Sequence, residues 1–180
     1  MSSKATALAE ASEGAASVEH STLSKTSENA NLAEEIKKKG NQLFVAGKIE
    51  EALEQYDAAL AVCPKANKHL VYSNRSLALT KLGRHKEAVF DARRVVGLQP
   101  KWIKGFYRLG CALRDSDEDG EIGDALEAFA AGLRLDPNNN QGHNPKLVQA
   151  HSLAMRKARE DDPTRDIKSV KAWMGVVGSV

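Results

Sequence analysis

Five side chains in this sequence could act together on an anion. Lys37 and Asn41 stand four residues apart, Lys104 and Arg108 stand four apart, and Asn74 lies between the two pairs. On a helix, a spacing of four stacks two side chains on one face. Three cations and two amides, with no carboxylate among them, suit an anion, and more specifically two carboxylates close together. Lysine supplies a point charge, arginine a directional fork, and asparagine a donor that binds a carboxylate without adding charge.

Other constellations carry less chemistry. Asp115-x-Asp117-x-Asp119-Gly120 mimics the opening of a calcium loop, but its twelfth position is Leu126 instead of the bidentate Glu, with Glu127 one place late. An acidic insertion between two helices is the expected reading, and no metal is assigned. Asn74-Arg75-Ser76 has the form of a glycosylation acceptor, but no secretory segment accompanies it. Cys63 and Cys111 are expected to be buried structural thiols. His20, His69, His85, His143 and His151 form no pattern that would make either thiol a nucleophile. Phosphate loops, dinucleotide fingerprints and zinc-hydrolase helices are absent, so no enzyme activity and no cofactor are expected.

The elements that hold the five donors repeat. Ile36, Gly40 and Leu43, then Ala52, Tyr56, Ala59 and Pro64 open the series; Tyr72, Ser76, Leu79, Ala88, Ala92, Val95 and Pro100 continue it. Phe106, Leu109-Gly110, Leu113, Ala125, Phe129, Gly132 and Pro137 close it. Prolines 64, 100 and 137 step by 36 and 37, as do alanines 52, 88 and 125. The apolar spacing is helical, with small residues where two helices must approach closely. Each proline falls where it stops a helix. The pattern predicts helix pairs at about 33–46 with 49–62, 69–82 with 85–97, and 103–114 with 122–135. A capping helix is predicted from Pro145 to about Arg159, with Leu147, Ala150, Ala154 and Ala158 on its buried stripe. A further short helix over Ile167–Val177 is expected in the tail.

Composition sets the outer bounds. The chain has 180 residues, 42% of them apolar, and 26 Lys and Arg against 24 Asp and Glu give a net charge of +2, too balanced for a nucleic-acid coat. No apolar run approaches the roughly 20 residues that span a bilayer. Residues 1–31 are rich in Ala, Ser, Thr and Glu, without aromatics and with two lysines against four glutamates, so a disordered leader is expected there. The folded unit is expected over 32–160 and the tail over 161–180. A cytoplasmic monomer with reduced thiols is the expected state.

The repeat resembles the tetratricopeptide repeat, whose period is about 34 residues and whose signature runs in the same order. The extra length falls about Asn67-Lys68 and inside Asp115–Gly123. The resemblance implies an all-α, right-handed solenoid of three helix pairs, with repeats at about 33–66, 69–102 and 103–139 and a cap at about 145–160. Lys37-Lys38-Lys39-Gly40-Asn41, Tyr72-Ser73-Asn74-Arg75-Ser76 and Trp102-Ile103-Lys104-Gly105-Phe106-Tyr107-Arg108 further resemble the dicarboxylate-clamp co-chaperone family typified by the heat-shock organising protein. That resemblance implies a non-catalytic adaptor that grips the C-terminal Glu-Glu-Val-Asp of a 70-kDa or 90-kDa heat-shock chaperone. By it, Lys37, Asn41, Asn74 and Lys104 would hold the terminal Asp, and Arg108 with Lys104 would reach acidic side chains upstream. Phe44, Leu77, Leu79 and Tyr107 are candidates for apolar contacts to the same peptide. The alternative is a repeat scaffold for another complex, with the clamp residues incidental.

Overall fold

The computed structural model describes residues 27–116, 121–135 and 145–161. Those residues form helices α1 (27–45), α2 (Ile49–Val62), α3 (Lys68–Lys81), α4 (His85–Leu98), α5 (Ile103–Arg114), α6 (Glu121–Arg134) and α7 (Pro145–Asp161), with a 3-10 turn at Lys65–Asn67. Most helix ends fall within a residue or two of the positions predicted from the repeat. The exception is the start of α1. Residues 27–31, expected to belong to the leader, are the first turns of that helix, which is solvent-exposed until Ala30 and Ala33. The rest of the leader, the expected tail helix at 167–177, and Asp117, Asp119 and Gly120 of the calcium-like loop lie outside the described residues.

Successive helices pack antiparallel as a solenoid: α2 meets α3, α4 meets α5, and α6 meets α7, while α3 also touches α5 directly. The odd-numbered helices thus share one layer. The first two helix pairs turn the same way. Gly47 and Gly83 adopt φ of 79° and 74°, which an L side chain rarely takes. Around them Lys48 N–H bonds to Leu43 O at 3.0 Å and Gly47 N–H to Phe44 O at 3.1 Å, and Arg84 to Leu79 at 2.9 Å and Gly83 to Thr80 at 3.1 Å repeat the pattern. This is the Schellman arrangement that satisfies the last carbonyls of a helix.

Small residues bring the helices close, and in the first and third repeats an aromatic ring fills the space that a glycine leaves. Ala52, Ala59, Ala88, Ala92, Ala112, Ala125 and Ala154 are all fully buried. Gly40 faces the Tyr56 ring and Gly110 faces the Phe129 ring so closely that a Cβ on either glycine would clash. Burying a ring of this size is worth about 2–3 kcal/mol. Repeat two replaces the glycine with Ser76, whose hydroxyl donates to Ala88 O at 2.9 Å, tying α3 to α4. A buried ion pair joins the same helices: Arg75 Nε and Nη2 each donate to a carboxylate oxygen of Asp91 at 2.7 Å. The remaining nitrogen reaches Asp57 of α2. At the far end α7 buries Leu147, Ala150, Ala154 and Ala158 as the stripe predicted. Lys157 of α7 also donates to the Arg114 carbonyl at 2.9 Å, closing the end of α5.

Candidate functional site

Lys37 and Asn41 come from α1, Asn74 from α3, and Lys104 and Arg108 from α5, so the five predicted donors lie on three neighbouring helices of one layer. Asn74 Nδ2 donates to Asn41 Oδ1 at 2.9 Å, bridging 33 residues of sequence. Lys104 lies within electrostatic reach of both Arg108 and Lys37. One amide pair and one cation cluster therefore account for all five.

Packing behind the site fixes these positions. Gly105, next to Lys104, lets α5 lie against α4, since a Cβ there would sit 2.9 Å from Val95 Cγ1. The Lys104 ammonium sits 5.7 Å from the centre of the Trp102 ring, and His69 meets that ring edge-on at 5.2 Å, linking the starts of α3 and α5. The Arg108 guanidinium lies 5.7 Å from the Tyr107 ring centre. Such cation–ring contacts orient a charge without neutralising it.

The electrostatics at Lys104 and Arg108 are those of partly buried cations. Partial burial, and then the like charges of Arg108 and Lys37, hold the Lys104 ammonium below its ordinary pKa. Burial lowers Arg108 in the same way. Arg108 Nε is buried and has no hydrogen-bond partner among the described residues. A buried donor left unmatched costs about 1–3 kcal/mol, more when charged.

Two residues at the site carry no signal that the sequence reading used, and one of the four apolar candidates lies elsewhere. Glu34, three residues before Lys37, pairs with its ammonium at 2.5 Å, so the cluster has a carboxylate at its edge after all. That spacing was open to reading in the sequence. Tyr56, which its spacing marks only as core, donates its hydroxyl to Asn41 Oδ1 at 2.9 Å. Leu79 is not on the Asn74 side of its helix: it lies 3% exposed in the core, on the side of α3 that carries Arg75. Five residues beyond Asn74 on a helix point well away from it. Phe44, Leu77 and Tyr107 remain half-buried.

The remaining motifs stay quiet. Cys63 is buried and Cys111 half-buried, both as free thiols whose pKa burial pushes up. Among the described residues no cluster of His, Cys, Asp and Glu could hold a metal ion. No helix among them is long and apolar enough to cross a membrane.

Residues 70–101 match the tetratricopeptide repeat. Over 128 residues the chain is 41% identical to the Hsp70-Hsp90 organizing protein of Triticum aestivum, a match covering 71% of this chain and 21% of that protein. The chain thus spans about a fifth of that relative's length. The second TPR domain of the human RPAP3 protein, solved by NMR in complex with the HSP70 peptide SGPTIEEVD, superposes with a TM-score of 0.60 at 28% identity, covering 72% of this chain and 98% of that one. The second TPR of Spaghetti (RPAP3), bound to the HSP90 peptide SRMEEVD, gives 0.59 at 29% identity, covering 66% and 98%.

Proposed function

We propose that this chain, a tetratricopeptide-repeat domain related in sequence to part of the Hsp70-Hsp90 organizing proteins, is a non-catalytic adaptor for a chaperone tail. Its partner is the free C-terminal Glu-Glu-Val-Asp segment of a 70-kDa or 90-kDa heat-shock chaperone. The solved relatives hold peptides of that ending. The observation that carries the reading is the cation cluster of Lys37, Lys104 and Arg108 beside the bridged amides of Asn41 and Asn74. A terminal Asp offers two carboxylates a few ångströms apart, its own and that of the chain end. In this reading Lys37, Asn41, Asn74 and Lys104 hold that Asp, and Arg108 with Lys104 takes the acidic side chains before it. The setting is cytoplasmic and the working form a monomer.

A labelled octapeptide ending in Glu-Glu-Val-Asp tests this by fluorescence anisotropy. The expected affinity is micromolar, about −8 kcal/mol, because a short peptide buries little area and must be ordered on binding. Lys104→Ala should cost about 1.5–3 kcal/mol, the scale of hydrogen bonds to charged groups. Amidation of the peptide terminus should abolish most of the signal. Equal binding of the acid and the amide would sink the clamp.

The competing reading is a scaffold that docks a folded partner on its other face. It draws on a cleft of about 360 Å³ between α2 and α4, lined by Leu53, Leu79, Arg84 and the 56% exposed Phe90. Binding of that kind would survive both Lys104→Ala and amidation of the partner's terminus.

A further inference from the structure

We propose that Tyr56 is a positioning residue of the carboxylate site, its hydroxyl fixing the Asn41 amide so that both N–H bonds of that amide are left for the ligand. The inference rests on the clamp reading above.

The geometry begins in the core. Tyr56 lies on α2, behind the layer of α1, α3 and α5, and is 1% exposed. Its ring lies against Gly40 of α1, where a Cβ would come within 2.7 Å of Cε1 and 2.9 Å of Cδ1. The missing side chain at Gly40 is what lets the ring reach past that position to the next residue of α1. There the hydroxyl donates to Asn41 Oδ1 at 2.9 Å. The same oxygen accepts Asn74 Nδ2 at 2.9 Å.

A carbonyl oxygen offers two lone pairs, so both are taken. The planar amide then carries its NH2 on the opposite side, away from both donors. Without such a lock, an asparagine amide can turn over with little change in shape, exchanging a donor for an acceptor. An acceptor turned toward a carboxylate repels it. Burial pushes the Tyr56 phenol up to about 12, so it stays protonated and donates throughout the physiological range.

The other repeats provide an internal comparison. The residue matching Tyr56 is Ala92 in the second repeat and Phe129 in the third. Phe129 fills the hole at Gly110 as Tyr56 fills the hole at Gly40, and it is fully buried. Packing therefore asks only for a ring. The hydroxyl occurs in the one repeat where a clamp asparagine follows the glycine.

Tyr56→Phe tests the proposal while keeping the ring. Anisotropy with the free-acid octapeptide ending in Glu-Glu-Val-Asp should weaken about three- to tenfold, the range of one hydrogen bond. Repeating the substitution in an Asn41→Ala chain, at raised protein concentration, should give no further loss, because the hydroxyl acts only through that amide. In peptide-free protein the Asn41 side-chain amide signals in a 15N–1H NMR spectrum should shift in Tyr56→Phe. An unchanged affinity, the same loss in both backgrounds, or unmoved Asn41 amide signals would each overturn the proposal while leaving the clamp standing. If wild type fails to distinguish the free acid from the amide, the clamp itself fails and this inference falls with it.

Discussion

Replacing Arg75 with methionine gives the most informative stability test, because the structure sets both its size and its pH dependence. Arg75 makes two 2.7 Å bonds to Asp91, whose side chain is 1% exposed, while the Arg75 side chain is 23% exposed. Its contact with Asp57 adds little, since that carboxylate is 60% exposed and well solvated. Removing one partner of a buried pair costs about 3–5 kcal/mol, because the other charge stays buried and unmatched. The partial exposure of Arg75 favours the low end, about 3 kcal/mol, which is a large share of the 5–15 kcal/mol typical of a whole domain. In the native chain burial already pushes the Asp91 carboxyl above its ordinary 3.8, with Arg75 pulling it back. Arg75→Met removes that pull, so the folded-state pKa rises further above the unfolded value. The folded variant then binds a proton that the unfolded chain lacks, and its stability falls as pH rises through that window. Urea unfolding at about pH 5 and about pH 7.5 should therefore show the deficit larger at the higher pH. Adding Asp91→Leu should recover most of it at both. A deficit below about 1 kcal/mol at neutral pH, or one that grows on acidification, would refute the argument.

Two further outcomes follow from charges at the edges of the structure. Glu34 holds Lys37 at 2.5 Å and so competes with an incoming carboxylate; Glu34→Gln should tighten the free-acid peptide about two- to fivefold in anisotropy, the scale of a partly exposed pair, and equal or weaker binding would count against competition. His151 on α7 is held below its ordinary 6.5 by burial, so the folded state favours neutral imidazole and the contribution is present above 6.5 and lost as pH falls through the lower folded value. Calorimetric midpoints should drop less on acidification in His151→Gln than in the native chain, and parallel drops would remove His151 from the account.

Much of this was legible in the sequence because periodicity is a local signal. The alanines at 52, 88 and 125 and the prolines at 64, 100 and 137 located the helix pairs, and α2 and α5 run over the residues predicted. The start of α1 was not legible because its first turns are mostly exposed, Leu32 at 45% among them, and leave no apolar stripe to read. Spacings of four likewise marked Lys37 with Asn41 and Lys104 with Arg108 as sharing a face. What spacing could not supply was contact between helices. Tyr56 with Asn41, Arg75 with Asp91, and Asn74 with Asn41 lie 15, 16 and 33 residues apart and meet only through packing. Which of the apolar candidates face the site was likewise not legible: the azimuth of Leu79 on α3 turns it into the core, on the side that carries Arg75.

The mix of three cations with two amides is itself explained by the field at the site. Lys104 is already held down by burial and by its neighbours Arg108 and Lys37, and Arg108 by burial with an unmatched Nε. A lysine at position 41 or 74 would add a further like charge beside Lys104 and Arg108, which burial already holds down, and beside Lys37, which Glu34 pairs. An amide supplies directional N–H bonds and adds nothing to the repulsion. In the proposed clamp two carboxylates would relieve repulsion among the cations as well as form their own bonds. Amidating a peptide terminus should accordingly forfeit more than one hydrogen bond, because a desolvated cation is left uncompensated. Where the site is open to water, the same interactions are screened over about 8–10 Å at physiological ionic strength. Salt should therefore weaken the free acid far more than the amide, the signature that separates recognition of a charged chain end from apolar docking along the groove.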